Sequence, residues 1–414
     1  MQNKIIDNIN NPAELEKIYR ANKIEFKKEF NAVYLNHKHE IAMDYWYERL
    51  NYEEDTISLG TKKGWLIVLV ISFIAGLLMN IPNLTGINDE VFFTRNCALL
   101  VFSSLIFYFI WKGQFSLTKM IPPIAIVFIA AVYINLLPNT ANSSSINLAF
   151  IHLPLFLWII LGYTFLGQDL FSNKKRIQFL RYNGDLVVML SLILLSSILF
   201  TVITFGLFEL IGMKIEKFYM QHIAIWGICA IPMIGTYLVE TNPQLINKVS
   251  PIIAKIFTPL VFLNLLIYLS AVVYTGKYPT QDRNLLLVFN ALLIGVMALI
   301  LFSVAEATKI VGNKLNFILL FGLSFLTIIV NGIALSAILF RIATWGISPN
   351  RLAVLGGNIM IFINLLIVSY KLFTTISGKT KIEAVETGIT LFLPMYGIWT
   401  AFVTFAIPIL FHFK

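Results

Sequence analysis

Charged residues are scarce in this sequence: they make up 13% of its 414 residues, about half of the content typical of soluble domains. Hydrophobic residues make up 58%, and the mean hydropathy is +0.79. This composition excludes an ordinary water-soluble domain and is typical of a protein whose solvent is lipid. The net charge of +9 does not indicate nucleic-acid binding, because the cations lie in loops beside apolar segments, where they anchor membrane helices.

Cysteines and catalytic motifs are also lacking. The two cysteines, Cys97 and Cys229, lie in or at the edge of apolar segments and form no CxxC, so we expect neither a disulfide nor a metal site. No Walker A, GxSxG, paired-carboxylate or dinucleotide-binding pattern occurs in a usable context. We therefore predict no catalytic residue, no metal site and no cofactor. An intramembrane enzyme, such as a lipid-modifying transferase, would require a catalytic pair that the sequence does not show.

What the sequence has in abundance is apolar segments of about twenty residues, the length that crosses a bilayer. They predict an all-α, polytopic membrane helix bundle of about eleven transmembrane helices with a short N-terminal cytoplasmic helical domain. The predicted spans are 65–82, 91–111, 120–137, 146–168, 186–212, 219–239, 253–275, 285–304, 316–340, 352–371 and 387–411.

The predicted organisation has four parts. Residues 1–62 form an N-terminal cytoplasmic helical segment, 63–170 a first sub-bundle of four helices, 171–184 a basic cytoplasmic loop, and 185–414 a second sub-bundle of seven. The first sixty residues carry eight Lys and Arg against eleven Asp and Glu, a balance of −3. We expect three short helices there, the first beginning at Pro12 behind an Asn11 cap. They form either a stabilising cap or a docking module for a cytoplasmic protein.

The orientation follows from the Lys and Arg residues of the loops. An N-terminus on the cytoplasmic side places fifteen of these cations inside and eight outside. The sequence therefore predicts a bacterial inner-membrane protein with a cytoplasmic N-terminus and a periplasmic C-terminus. The basic run beginning at Lys174 either meets anionic lipid headgroups or docks a soluble partner.

Charged residues are missing from the middle of every predicted span, which argues against proton-coupled transport. The midplane instead contains asparagines. An amide in lipid seeks a hydrogen-bond partner on a neighbouring helix, so these side chains either join helices or line a polar passage. The polar midplane residues are Asn264, Asn290, Asn331, Asn358 and Asn364.

The predicted outer boundary holds the candidate ligand-binding residues. Arg341 and Arg351 bracket a tight connection whose Gly346 and Pro349 suit a turn, with Trp345 between them. Two guanidinium groups on one short connection can grip a phosphate or carboxylate, or they can extend to lipid headgroups. The same boundary holds two further candidate residues, Glu209 and His222.

Three passages resemble the bacterial membrane-protein family known as domain of unknown function 4153. They are 340–352, with its arginine-isoleucine, aromatic-glycine and proline-asparagine-arginine elements; 258–279, with a proline-leucine start and a tyrosine-proline end; and 205–208. The acidic N-terminal segment looks like those attached to such proteins in Bacteroidota. Trp345 departs from the tyrosine that is common in the family. The resemblance implies an inner-membrane protein and no particular reaction.

Two functional interpretations remain open. Many spans, small soluble parts and a polar outer boundary favour transport, or the handling of a lipid or another anionic ligand, near the outer face. The alternative is a membrane scaffold or sensor that does not transport and recruits a cytoplasmic partner through its N-terminal helices. The expected partners are the lipid bilayer, including anionic lipid, and this cytoplasmic protein.

Overall fold

The structure is a computed structural model that describes residues 2–9, 11–21, 23–34, 41–51, 60–140, 143–167, 169–210, 214–242, 258–267, 269–270, 273–274, 283–307 and 314–414. The chain divides into two compact units, Met1–Ser58 and Leu59–Lys414. The first long apolar helix of the larger unit begins at Lys62.

The described residues of the N-terminal unit form four short helices, one more than the sequence predicted. Their buried side chains form a small aromatic core in which Phe26 contacts both Phe30 and Trp46. The second helix begins at Pro12, as the sequence predicted. The helices are α1 (Gln2–Asp7), α2 (Pro12–Ala21), α3 (Lys23–Tyr34) and α4 (Ile41–Asn51).

Every secondary-structure element in the described part of the larger unit is also helical, which confirms the predicted all-α fold. The helices are α5 (Lys62–Met79), α6 (Ile81–Thr85), α7 (Asp89–Lys112), α8 (Leu117–Leu136), α9 (Ser144–Leu166), α10 (Asn173–Leu210), α11 (Glu216–Thr241), α12 (Thr258–Ile267), α13 (Arg283–Ala307), α14 (Lys314–Trp345), α15 (Pro349–Ile376) and α16 (Glu383–Leu410). Single π-helical segments interrupt α11 at Met220–Ala224 and α16 at Phe402–Ala406.

Nine helices of the described residues are long and apolar enough to cross a membrane. They coincide with nine of the predicted spans, so the chain is a multi-pass membrane protein. The other two predicted spans, 253–275 and 285–304, overlap the shorter apolar helices Thr258–Ile267 and Asn290–Ala305. Part of the first lies outside the described residues. The total of eleven therefore stays a prediction.

Several helices begin at side chains that cap their free backbone N–H groups. Thr61 accepts a hydrogen bond from the Gly64 amide at 3.0 Å, Asn88 from Val91 at 3.1 Å, and Ser143 from Ile146 at 3.2 Å. Each of these polar residues stands within about four residues of the apolar run that follows it. They therefore fix where α5, α7 and α9 start.

The predicted basic loop 171–184 is not a loop from Asn173 onward. Those residues are the first turns of α10, a continuous helix of 38 residues and about 57 Å. Ile177, Leu180 and Tyr182 are buried against neighbouring helices, while Lys174 is exposed. The polar residues that suggested a loop lie beside a buried apolar face, and that face keeps the segment helical.

The two predicted sub-bundles pack together within one compact unit. The hydroxyl of Tyr133, on α8, donates a 3.0 Å hydrogen bond to the carbonyl of Phe405 in the π segment of α16. Phe156, on α9, also contacts Phe405. The division into four and seven helices is therefore not a division into separate domains.

Contacts define two ends of this bundle. At one, which we call the Thr61 end, the Thr61 amide donates to the Tyr237 hydroxyl at 2.8 Å. At the other, the Ser143 end, the Ser143 hydroxyl donates to the Phe413 carbonyl at 2.7 Å. Helix α9 begins next to Ser143 and ends at Leu166, which lies near Lys112. Lys112 in turn pairs with Glu240, one turn from Tyr237, so α9 runs from the Ser143 end to the Thr61 end. Residues 61 and 414 therefore lie at opposite ends.

Candidate functional site

The connection between α14 and α15 lies at the Ser143 end, where Asn350 hydrogen bonds to Ser144 at 3.3 Å. Gly346 has φ +74°, a left-handed conformation that ends α14, and its amide donates to the Ile342 carbonyl at 2.8 Å. Ser348 caps α15, and Pro349 occupies its first turn. The expected turn at Gly346 and Pro349 is confirmed.

Arg351 closes this connection. Its Nη1 donates to the carbonyl oxygens of Trp345 at 2.9 Å and Gly346 at 2.7 Å. These carbonyls belong to the C-terminal end of α14, where partial negative charge accumulates and a cation is favourable. Arg351 therefore holds the end of one helix from the first turn of the next.

Trp345 brings the two arginines together. The guanidinium carbon of Arg341 lies 5.2 Å from the centre of the indole ring, and that of Arg351 lies 5.7 Å from it. Both distances fall within the range of cation–π attraction. The indole is 53% exposed, so the cluster stands at the surface of the bundle.

Arg341 carries a donor without an acceptor. Its Nη1 is buried and has no hydrogen-bond partner among the described residues. None of the ion pairs formed within the described ranges involves Arg341 or Arg351. A buried guanidinium nitrogen without an acceptor is costly, so this pair of arginines is chemically suited to an anion. We call Arg341, Trp345 and Arg351 the arginine–tryptophan cluster.

The other two outer-boundary candidates have different surroundings. His222 is exposed in the π segment of α11, where its ring stacks on Phe218 at 4.7 Å and its Nδ1 lies 3.1 Å from the Phe218 carbonyl. Glu209 lies in the last turn of α10, and its side chain is outside the described residues.

Three of the five asparagines join helices α13, α14 and α15. The Asn358 amide donates to Asn290 Oδ1 at 2.8 Å, and Asn331 donates to the Asn358 carbonyl at 3.0 Å. Asn331 and Asn358 are buried. These are the hydrogen bonds expected of asparagines that join helices.

The remaining two asparagines differ from each other. Asn364 is buried and donates to the Tyr396 hydroxyl at 3.0 Å, which links α15 to α16. Asn264 is exposed on α12. In the described part of the chain, the Oδ1 atoms of Asn331 and Asn364 have no hydrogen-bond partner.

The role of Arg95 is evident only in the structure. This residue is only 8% exposed, and its guanidinium donates to the carbonyls of Asn135 and Leu137 at 2.8 Å and to the Asn139 side chain. It thereby satisfies the C-terminal end of α8. In the sequence Arg95 was one outer cation among eight, and nothing local indicated its acceptors about forty residues away.

The charge pairs at the Thr61 end were also missed. Arg181 bonds Glu386 at 2.8 Å, and Lys112 pairs with Glu240. No local sequence pattern pairs residues that are 205 or 128 positions apart. Within the described residues, no group of three or more His, Cys, Asp or Glu side chains is placed to hold a metal ion.

Comparison of the chain with known protein families, with curated proteins and with solved structures found no match in any of the three. The resemblance to domain of unknown function 4153 therefore stays a prediction.

Proposed function

We propose that this integral membrane protein binds an anionic ligand at the arginine–tryptophan cluster, and that a phosphate-bearing lipid headgroup is the ligand. The observation that carries the proposal is the convergence of two guanidinium groups on one indole, with Arg341 Nη1 buried and without an acceptor in the described part of the chain. A phosphate oxygen would supply that acceptor.

Apolar side chains around the cluster favour a lipid over a soluble anion. Phe340, Trp345 and Ile347 are each more than half exposed beside the two guanidinium groups. Aromatic residues and arginine at a helix end are typical of the membrane–water interface, where headgroup phosphates lie. A headgroup could therefore contact the cations while its chains cover these apolar surfaces.

The asparagine contacts favour ligand binding over a continuous polar passage. The amides of Asn290, Asn358 and Asn364 are used in hydrogen bonds within or between helices, and Asn331 and Asn364 are buried. In this proposal the asparagines hold the helices beneath the cluster.

The proposed orientation places the Ser143 end at the periplasmic face of a bacterial inner membrane and the Thr61 end in the cytoplasm. Its support is the excess of loop cations at the Thr61 end. Eleven crossings fit the contacts: α11 ends at the Thr61 end, and Ala305, near the end of α13, contacts Arg181 there. This proposal assigns the eleventh crossing to the predicted span 253–275. The variant Lys414→Cys tests the orientation. In intact cells its thiol should react with a membrane-impermeant thiol reagent if residue 414 faces the periplasm.

Lipid retention tests the proposed ligand. The protein is purified in a maltoside detergent, mixed with equal amounts of phosphatidylglycerol and phosphatidylcholine, and examined by native mass spectrometry. We expect wild type to retain phosphatidylglycerol preferentially and Arg341→Gln to retain one molecule fewer. The matched control is Lys217→Gln, which removes an exposed cation from α11. Equal retention by wild type and Arg341→Gln would refute the proposal.

A second candidate function is recruitment of a cytoplasmic protein by the N-terminal unit. The favouring observation is that this unit has its own core and exposes Ile41 and Tyr45, one turn apart on α4. If recruitment is the function, deletion of residues 1–58 abolishes binding of the cytoplasmic protein, whereas Arg341→Gln leaves that binding intact. If lipid binding is the function, Arg341→Gln impairs lipid retention more than deletion of residues 1–58 does.

A further inference from the structure

A cavity of about 400 Å³ lies at the Thr61 end, opposite the arginine–tryptophan cluster. Its size is within the range of small-ligand sites. The wall combines charged side chains with aromatic rings and glycine backbone. It is formed by Phe109, Lys112, Gly113, Phe115, Thr164, Phe165, Leu166, Gly167, Asp169 and Lys175.

Two ammonium groups line this cavity from different helices. Lys112 is the last residue of α7, and Lys175 is the third residue of α10. The Lys175 Nζ lies 2.8 Å from Asp169 and donates to the Leu166 carbonyl at 3.4 Å. Lys112 pairs with Glu240 of α11. Contacts with their neighbours therefore fix the positions of both lysines.

Among the described residues, more ammonium than carboxylate groups line the cavity itself. Two lysines and one carboxylate, Asp169, line the cavity, whereas Glu240 is not part of the wall and its side chain is only 14% exposed. The N-terminal turn of α10 adds partial positive charge beside Lys175. A ligand that enters the cavity therefore meets two ammonium groups and one carboxylate directly, with Glu240 behind Lys112.

The backbone also shapes the cavity. Gly167 adopts φ +62° and ψ −114°, a conformation that glycine reaches at little cost, and ends α9 at the wall. Phe109 and Phe165 pack edge to face at 5.2 Å and give the cavity an apolar side. A ligand with one anionic group and an adjoining apolar or uncharged part fits this combination.

We propose that this cavity binds a phosphate group between Lys112 and Lys175, carried either by free phosphate or by a lipid headgroup. Each ammonium has three N–H donors, and the carboxylate contacts leave donors for a phosphate oxygen. The site is independent of the arginine–tryptophan cluster, because the two lie at opposite ends of the bundle.

Thermal unfolding of the full chain in a maltoside detergent tests the proposal, since a ligand that binds the folded state raises the Tm. One arm titrates inorganic phosphate, and the other titrates short-chain phosphatidylglycerol, both against sodium chloride at equal ionic strength. We expect at least one arm to raise the Tm of wild type. A rise in the first arm identifies free phosphate as sufficient. A rise in the second arm alone identifies the lipid at this cavity when it is also seen in Arg341→Gln, which lacks the arginine of the other proposed site.

Variants that change single charges show whether the rise in Tm arises from this cavity. Lys175→Gln should weaken binding roughly tenfold, the loss expected for one charge-assisted hydrogen bond. The matched control Lys174→Gln removes the neighbouring exposed cation and should leave binding unchanged. Asp169→Asn should strengthen binding, because it removes the carboxylate from the wall. A purely structural role for these ion pairs does not predict that gain.

Lys112→Gln leaves Glu240 without its partner, so the double variant Lys112→Gln/Glu240→Gln is used to keep the helix interface neutral. It should fold and lose the phosphate-dependent rise in Tm. The proposal is overturned if neither arm raises the Tm of wild type, or if the rise persists unchanged in both Lys175→Gln and the double variant.

Discussion

Arg181 Nη2 donates to Glu386 Oε1 at 2.8 Å and joins α10 to α16 across 205 residues of sequence. The same guanidinium contacts the carbonyl of Ala305, so one side chain connects three helices. Both side chains of the ion pair are largely buried. The pair therefore holds together helices that the sequence assigned only to a common sub-bundle.

Glu386→Gln should lower stability by about 2 kcal/mol, because it weakens a charge-assisted hydrogen bond and leaves a partly buried cation. Arg181→Gln should cost a similar amount. If the pair interacts as the geometry indicates, the double variant costs less than the sum of the single changes. Thermal unfolding in detergent, followed by intrinsic fluorescence, measures all three. Strict additivity would contradict a direct interaction.

Asn358→Ala should destabilise the bundle by roughly 1–2 kcal/mol, since it removes a side-chain bond to Asn290 within the membrane domain. Asn264→Ala is the matched control, because Asn264 is exposed, and should change stability by much less. Both variants are compared by chemical unfolding in the same detergent. A larger loss of stability for Asn264→Ala than for Asn358→Ala would contradict the role of Asn358 in joining the helices.

The position of the apolar helices could be predicted from sequence because a bilayer requires a known length of apolar residues. The turn at Gly346 and Pro349 was also predictable, since its chemistry is local. The Arg181–Glu386 pair and the Arg95 contacts were not, because their partners are distant in sequence. Only three-dimensional packing brings such groups together.

The candidate site also had parts that the sequence could predict and parts that it could not. Proximity of Arg341 and Arg351 was predictable from their short separation, whereas the contact of both guanidinium groups with Trp345 was not. The helical start of α10 was missed for a different reason. Lys174 and its polar neighbours indicate a loop by composition, and their helical period becomes evident only when Ile177 and Leu180 are known to be buried.

Acidification should loosen the N-terminal unit. The hydrogen bond from Arg20, with further attraction from Arg49, lowers the pKa of Glu16 below its ordinary value of 4.5. The folded state therefore favours the ionised carboxylate, and this stabilisation is present above the unfolded pKa. It is lost as the pH falls from about 4.5 through the lower folded value.

Amide hydrogen exchange of the full chain between pH 6 and pH 3 measures this loss in α2 and α4, after correction for the intrinsic pH dependence of exchange. Glu16→Gln removes the titrating group and should flatten the acid dependence in both helices. An unchanged acid dependence in the variant would show that other carboxylates control it.

Gly356 and Gly357 give a matched pair of adjacent substitutions in α15. A Cβ added at Gly356 would overlap the Trp399 ring, whereas one at Gly357 would stand 3.8 Å from the Trp399 Nε1, an ordinary contact distance. Gly356→Ala should therefore force α15 and α16 apart and cost about 1–3 kcal/mol. Gly357→Ala should be neutral or slightly stabilising, because alanine is the better helix former. Thermal unfolding of the two variants in detergent gives the comparison, and equal effects would show that Trp399 does not pack on Gly356.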